Sequence, residues 1–301
     1  MALAGGTGSA KILRGLERLG QEMTVISNVG DNVWMHGLYV CPDIDIAMYS
    51  LAGVADIKKG WGVADDTFNV QEALGRLGEP TWFNLGDKDL GVHILRTRLL
   101  RGGKGLTAVT DRLRRGFGVR ARVLPATDDE VETHISTSVG TVHLQDYWVR
   151  LKARPKVKRV VYRGASRAKA SPQALKSIAQ ADRVIVCPAN PVTSIGPIIA
   201  IPGIQRALTS TRSRVVALSP MIGSRPFSGP AAKLMKAQGL SPSSVGIAEA
   251  YSEFLDCLLV DRSDETLAER IRRKGPSCVL TDASIRGPED EVRLARELVA
   301  A

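Results

Sequence analysis

Short, continuously apolar runs recur along this 301-residue chain, at residues 24–27, 122–125, 183–188, 214–220 and 257–261. Between many of them lie stretches with apolar residues at helical spacing, including 11–19, 89–100 and 171–181. Strands that are apolar throughout, rather than at every second residue, must be covered on both faces. Their alternation with helices therefore predicts an α/β fold with a mainly parallel sheet between helical layers. One segment departs from this. Residues 131–138 and 141–151 read as two strands joined at Val139-Gly140, an antiparallel hairpin inserted in the sheet or at its edge. No repeat, low-complexity tract or Pro/Ser linker divides the chain, so a single domain over 1–301 is expected. The tail, helix-like at 264–273 and 288–300, reads as a closing α/β unit.

The 41 Lys and Arg exceed the 31 Asp and Glu, for a formal charge of +10. Such an excess suits anionic partners, among them nucleic acid, membrane surfaces and phosphorylated metabolites. Its densest stretches, 112–122 and 150–169, lack the interleaved aromatics of a single-strand-binding platform, which argues against nucleic acid and for solvated faces. Cys41, Cys187, Cys257 and Cys278 form no C-x-x-C pair, so neither a zinc knuckle nor a disulfide framework is indicated. The N-terminus lacks the basic and apolar regions of a signal peptide, and no apolar run approaches the ~20 residues that span a bilayer. A cytoplasmic protein without membrane association is expected.

Leu3-Ala4 runs into Gly5-Gly6-Thr7-Gly8-Ser9 and then a helix from about Ala10. A strand, a glycine turn and a helix N-terminus in that order aim free backbone N–H groups at phosphate. The spacing is neither Walker A nor G-x-G-x-x-G. After the second strand, Asn28-Val29-Gly30-Asp31-Asn32 places polar side chains at the carboxyl end of the sheet, where open α/β folds bind ligands. In Cys41-Pro42-Asp43-Ile44-Asp45 two carboxylates precede an apolar helix over 46–51. They serve either as caps or, beside a phosphate loop, as Mg²⁺ ligands.

Trp82-Phe83-Asn84-Leu85-Gly86-Asp87-Lys88-Asp89 reads as an aromatic strand end that runs into a Gly turn, with Asn84 and Lys88 as ligand candidates and Asp87 and Asp89 as caps. The helix that follows carries His93 and Arg96, and a lone histidine there is more often structural than catalytic. Pro188-Ala189-Asn190-Pro191-Val192-Thr193-Ser194-Ile195-Gly196-Pro197 forms a rigid hydroxyl- and amide-bearing loop after an apolar strand. Residues 219–223 and Gly229-Pro230, with Lys233 beyond, repeat that arrangement, either to meet a ligand or to shape the fold. There is no G-x-S-x-G elbow, which disfavours a serine nucleophile.

Taken in order, these motifs resemble the 2-phospho-L-lactate transferase family of coenzyme F420 biosynthesis. The likeness runs from Gly5 to about Asp261 and also includes Gly60-Trp61-Gly62, Asp66-Thr67-Phe68 and Ser228-Gly229-Pro230-Ala231. It implies a doubly wound, Rossmann-like α/β core with an inserted smaller portion at roughly 60–165, Mg²⁺ as cofactor, and a homodimer. The implied reaction joins a deazaflavin to a three-carbon acid. Its donor is a guanosine diphosphate linked to lactate or to phosphoenolpyruvate, its acceptor is the ribityl hydroxyl of 7,8-didemethyl-8-hydroxy-5-deazariboflavin, and GMP leaves.

The resemblance assigns Gly6, Thr7, Gly8 and Ser9 to the diphosphate, and Asp43 and Asp45 to the metal and to catalysis. Asp45 and Asn84 meet the deazaflavin, with Asp45 either a general base or a ligand that orients the hydroxyl. Asn190, Ser194, Gly196 and Gly229 fall on the nucleotide side, and Asn28, Asp31 and Lys88 are secondary candidates. Three positions depart from the family pattern: Ile46 replaces a common Thr, Asn32 a second acid, and Ala189 the Ser before Asn-Pro. Only four residues precede the glycine loop, so a natural start further upstream is expected. The competing readings are a nucleotide-sugar-binding regulatory protein of the same superfamily, which catalyses nothing, and a basic RNA-binding module, whose affinity would fall steeply with salt.

Overall fold

The computed structural model describes residues 1–223, 225–227 and 229–301. Seven strands form one sheet in the spatial order Ser277–Thr281, Cys257–Asp261, Arg214–Leu218, Arg183–Val186, Ala2–Ala4, Thr24–Ser27, Arg122–Pro125. Every pairing within it is parallel.

Successive side chains of a strand point to opposite faces, and here both faces are apolar cores. Leu3, Ile26, Val184, Val186 and Leu258 enter one cluster. Their sequence neighbours Ala2, Val25, Ile185, Cys187 and Leu259 enter the other. Helices cover both. On the second face lie α1 (Gly6–Arg18) and the C-terminal helix Pro288–Ala300, whose backbones touch so closely that a Cβ on Gly15 would sit 2.1 Å from the carbonyl oxygen of Glu291. The doubly wound, mainly parallel α/β architecture expected from the strand pattern is what forms.

The expected strand end at Trp82-Phe83 is a bend, and three further local outcomes differ from the sequence reading. First, α1 begins at Gly6 rather than near Ala10, and α2 (Pro42–Leu51) begins at Pro42, which places Asp43 and Asp45 inside its first turn. Proline suits that opening position because it lacks only an N–H that has no helical partner there. Second, the stretch 141–151 is not one strand. Strand Gly140–His143 pairs with Glu132–Thr137, and the chain then coils into a π-helical turn, Asp146–Arg150, with Tyr147 fully buried. Third, the hairpin gains a further strand, Val157–Arg163, from the basic stretch. A register shift opposite Ser136 and Thr137 breaks its alternation, so Val157 and Val160, three apart, are both buried while Lys158, Arg159 and Arg163 are exposed.

Between α2 and the strand Arg122–Pro125 lie α3 (Asn69–Arg76), α4 (Asp87–Arg101) and α5 (Leu106–Gly116). Two aspartates exchange caps here. Asp66 accepts the N–H groups of Lys88 and Asp89 at the start of α4, and Asp87 accepts those of Asn69 and Val70 at the start of α3. Each satisfies helix-start donors that would otherwise lack partners. No helix among the described residues is long and apolar enough to cross a membrane.

Candidate active site

The first strand lies between Thr24–Ser27 and Arg183–Val186. Strand order reverses at that point, so the helices that follow the first strand and Arg183–Val186 pack on opposite faces of the sheet, and a crevice opens at the carboxyl ends of the two strands. A cleft of about 480 Å³ occupies it. The two loops meet without room for side chains: a Cβ on Gly8 would lie 2.1 Å from the carbonyl oxygen of Pro188, and one on Gly5 would lie 2.8 Å from Ser194 Cβ. Gly6 takes a positive φ of 66°.

Within the glycine turn, the Gly5 N–H donates to Ser9 Oγ at 2.9 Å and that hydroxyl donates back to the Gly5 carbonyl at 2.7 Å. The Gly6 N–H donates to Asp43 Oδ1 at 2.8 Å. Thr7 and Gly8, which line the cleft, follow in the first turn of α1, where N–H groups have no helical acceptor and the helix dipole is positive. A helix start of this kind suits an anion. Ser9 shapes it from behind, and Asn28 does the same for the neighbouring acids.

Asn28 is fully buried, and its Nδ2 donates to Asp43 Oδ2 at 2.8 Å, to Asp31 Oδ1 at 2.9 Å and to the Thr193 carbonyl at 3.1 Å. It thereby ties two carboxylates to the loop after Arg183–Val186. Burial pushes the Asp43 carboxyl up to about 6, with the bonds from Asn28 and Gly6 opposing. Burial, and then the charge of Asp43, push Asp31 well above the usual range. Neither acid forms an ion pair among the described residues.

Residues two apart on a helix do not face one another, and Asp45 turns to a different neighbourhood. Arg96, fully buried, donates through Nη1 to Asp45 Oδ2 at 3.0 Å and through Nη2 to Asp45 Oδ1. Burial pushes the Asp45 carboxyl up and Arg96 opposes it. Nη1 of Arg96 also lies 3.0 Å from His93 Nδ1. A guanidinium only donates, so this nitrogen accepts and the proton of His93 is on Nε2, 3.4 Å from Asp89 Oδ1. Tyr49 donates its hydroxyl to the same Asp89 oxygen. Asp45, Asp89 and His93 bring ligand atoms within 4.8 Å of one another, and a cation there requires His93 to give up its Nε2 proton or the bond from Arg96. Arg96 already opposes part of the group's negative charge.

Of the remaining candidates, Asn84, Asn190, Ser194 and Gly229 line the cleft with Asp31 and Asp43. Asn190 Oδ1 accepts the Val192 N–H at 3.0 Å and folds its own loop. Gly196 lies behind the wall, where a Cβ would meet the Tyr162 hydroxyl at 2.2 Å. Tyr162 donates that hydroxyl to the Val192 carbonyl and so pins the loop. Lys88 is exposed and donates to the Ala64 carbonyl at 3.0 Å, outside the cleft wall. Ser228 lies outside the described residues.

Asp89, expected as a cap, is instead part of the buried network, as are Arg96 and Tyr49, to which the sequence reading gave no role. A signal was present. Asp89, His93 and Arg96 fall at i, i+4 and i+7, the spacing of a helix's buried stripe, where charge is unusual.

A family model described as 2-phospho-L-lactate transferase CofD matches residues 1–297. The chain belongs to the 2-phospho-L-lactate transferase family. It is 39% identical over 300 residues to the 2-phospho-L-lactate transferase of Methanosarcina mazei, covering 99% of this chain and 98% of that one. It is 41% identical over 305 residues to the phosphoenolpyruvate transferase of Streptomyces coelicolor, covering 99% and 96%. Among solved structures, a UPF0052-family protein from Bacillus halodurans matches with a TM-score of 0.67 at 16% identity, covering 99% of this chain and 97% of that one, which supports the fold. As a 2-phospho-L-lactate transferase family member, the protein is a transferase of coenzyme F420 biosynthesis, and its cleft is the place to look for the chemistry.

Proposed function

We propose that the protein transfers the phospholactyl or phosphoenolpyruvyl group of a guanosine diphosphate-linked donor to the ribityl hydroxyl of 7,8-didemethyl-8-hydroxy-5-deazariboflavin. The observation that carries this is a cleft lining in which a helix start with free N–H groups, at Thr7 and Gly8, adjoins the buried Asp43 and the half-buried Asp31. A diphosphate suits the first. The second, in which Asp31 takes the place expected of Asp45 because Arg96 holds Asp45, is a pair of hard oxygen ligands without a cationic partner among the described residues, the chemistry Mg²⁺ selects. Asp43 and Asp31 would hold Mg²⁺ there, and its charge would offset that of the phosphate groups.

In this reading the N–H groups of Thr7 and Gly8 hold the diphosphate, and Asn190 and Ser194 line the nucleotide side. Asp45, held by Arg96, accepts a hydrogen bond from the acceptor hydroxyl and orients its oxygen towards the phosphorus that carries the acid, and Asn84 lines the same cleft. The new P–O bond forms as the bond to the GMP oxygen breaks, and the hydroxyl proton passes to solvent. Positioning and fixed dipoles supply the acceleration. Residues 1–301 serve this site as one transferase domain, in the reducing cytoplasm that its four free cysteines suit.

The test is incubation of the protein and Mg²⁺ with the deazaflavin and each donor in turn, following GMP and the coupled deazaflavin by mass spectrometry. Stoichiometric GMP and product from one donor identify the acid. Absence of product from both, with protein that binds both substrates, removes this donor chemistry.

A further inference from the structure

The hairpin sheet brings to the cleft an aromatic side chain that no role above uses. Trp148 lines the cleft and is 42% exposed, whereas its neighbour Tyr147 is fully buried. The π-helical turn makes that division. It is closed by the wide bond from the Leu151 N–H to the Asp146 carbonyl at 2.8 Å, and along it Tyr147 points inward and Trp148 outward. Such turns are rare and recur at functional sites.

The mounting is braced from several directions. The Tyr147 hydroxyl donates to the Ala153 carbonyl at 3.1 Å, and Lys233 Nζ donates to the carbonyls of Ala153 and Pro155 at 2.8 and 2.6 Å. Lys152 and Ala153 hold φ of 51° and 50°, a left-handed conformation that non-glycine residues keep only where their surroundings impose it. Arg150 lies 6.0 Å over the ring of Trp82, on the stretch that leads to Asn84. On the other side a Cβ on Gly229 would meet Trp148 Cη2 at 3.2 Å, so the benzo edge of the indole rests against glycine.

We propose that Trp148 is a stacking platform for the planar heteroaromatic ring of a substrate in this cleft. This rests on the transferase reading, in which two such rings arrive: the guanine of the donor and the deazaflavin of the acceptor. An exposed indole on a braced turn stacks with either at little cost in side-chain ordering, and the experiment separates them.

GDP and the deazaflavin are titrated separately against wild type, Trp148→Phe and Trp148→Leu, by calorimetry and tryptophan fluorescence. Trp148→Leu is expected to weaken one ligand roughly 10- to 100-fold, as loss of a base–aromatic stack does, and the other less than ~2-fold. Trp148→Phe should retain affinity within ~3-fold and lose part of the ligand-induced quenching. The weakened ligand names the ring. If both ligands bind Trp148→Leu as tightly as wild type, or both weaken equally with a lowered melting temperature, the platform is overturned while the transferase reading stands. If wild type binds neither ligand, the transferase reading falls and this inference with it.

Discussion

Arg96 is clamped on both oxygens of Asp45, and the pair is sealed into the wall of the cleft where α2 meets α4. Removing one partner of a buried ion pair strands the other charge, at a cost of about 3–5 kcal/mol. Arg96→Met should therefore lower the denaturant midpoint strongly. The double variant Arg96→Met/Asp45→Leu should recover much of that stability and yet remain inactive. Recovery of activity along with stability would show that Asp45 is only structural.

Asp31 and Asp43 repel one another across the amide of Asn28. In metal-free protein Asp31→Asn should raise the melting temperature, because it relieves that repulsion while keeping an acceptor for Asn28. Mg²⁺ at 100 times its Kd should stabilise wild type by about 2.7 kcal/mol, reversibly with chelator, and should stabilise Asp43→Asn far less. A full thermal shift in Asp43→Asn would place the cation elsewhere, with Asp45, Asp89 and His93 the next group to examine.

Gly8 lies where two backbones cross, with the Pro188 carbonyl 2.1 Å from the position its Cβ would take. Gly8→Ala must part the glycine turn from the loop at 188–194, at a cost of roughly 1–3 kcal/mol as for other overpacked sites. It should weaken GDP binding more than deazaflavin binding, measured by calorimetry. Equal losses for both would mean that the whole cleft, rather than its phosphate wall, had moved.

Asp261 gives the acid limb of stability. Burial pushes its carboxyl up, but hydrogen bonds from the Ser263 hydroxyl at 2.6 Å and the Ser263 and Ala283 N–H groups at 3.0 Å outweigh it and hold it below the usual range. A depressed native pKa adds stability above the unfolded value of about 3.9, and that stability is lost as pH falls through the native value. Thermal melts of Asp261→Asn should be less stable than wild type near pH 6 and should lose less stability between pH 4 and pH 2. Parallel curves for the two proteins would contradict this.

The sequence by itself determined the sheet and the order of the loops around it. Strands such as Cys257–Asp261, apolar in nearly every residue, call for a doubly covered sheet, and the glycine turn after Ala2–Ala4 leads straight into a helix start, as its sequence indicates. What only the tertiary structure decided is which carboxylate faces which partner. Asp43 and Asp45 are neighbours in sequence, but the helical rotation between them sends one to Asn28 and Asp31 and the other to Arg96, fifty-one residues away. The π-helical turn was equally illegible, because its wide hydrogen bond depends on Tyr147 finding a core and on Lys233 reaching the carbonyls of Ala153 and Pro155 from eighty residues downstream. Strand periodicity is a local property of the chain; charge pairing and turn geometry follow from long-range contacts that exist only once it has folded.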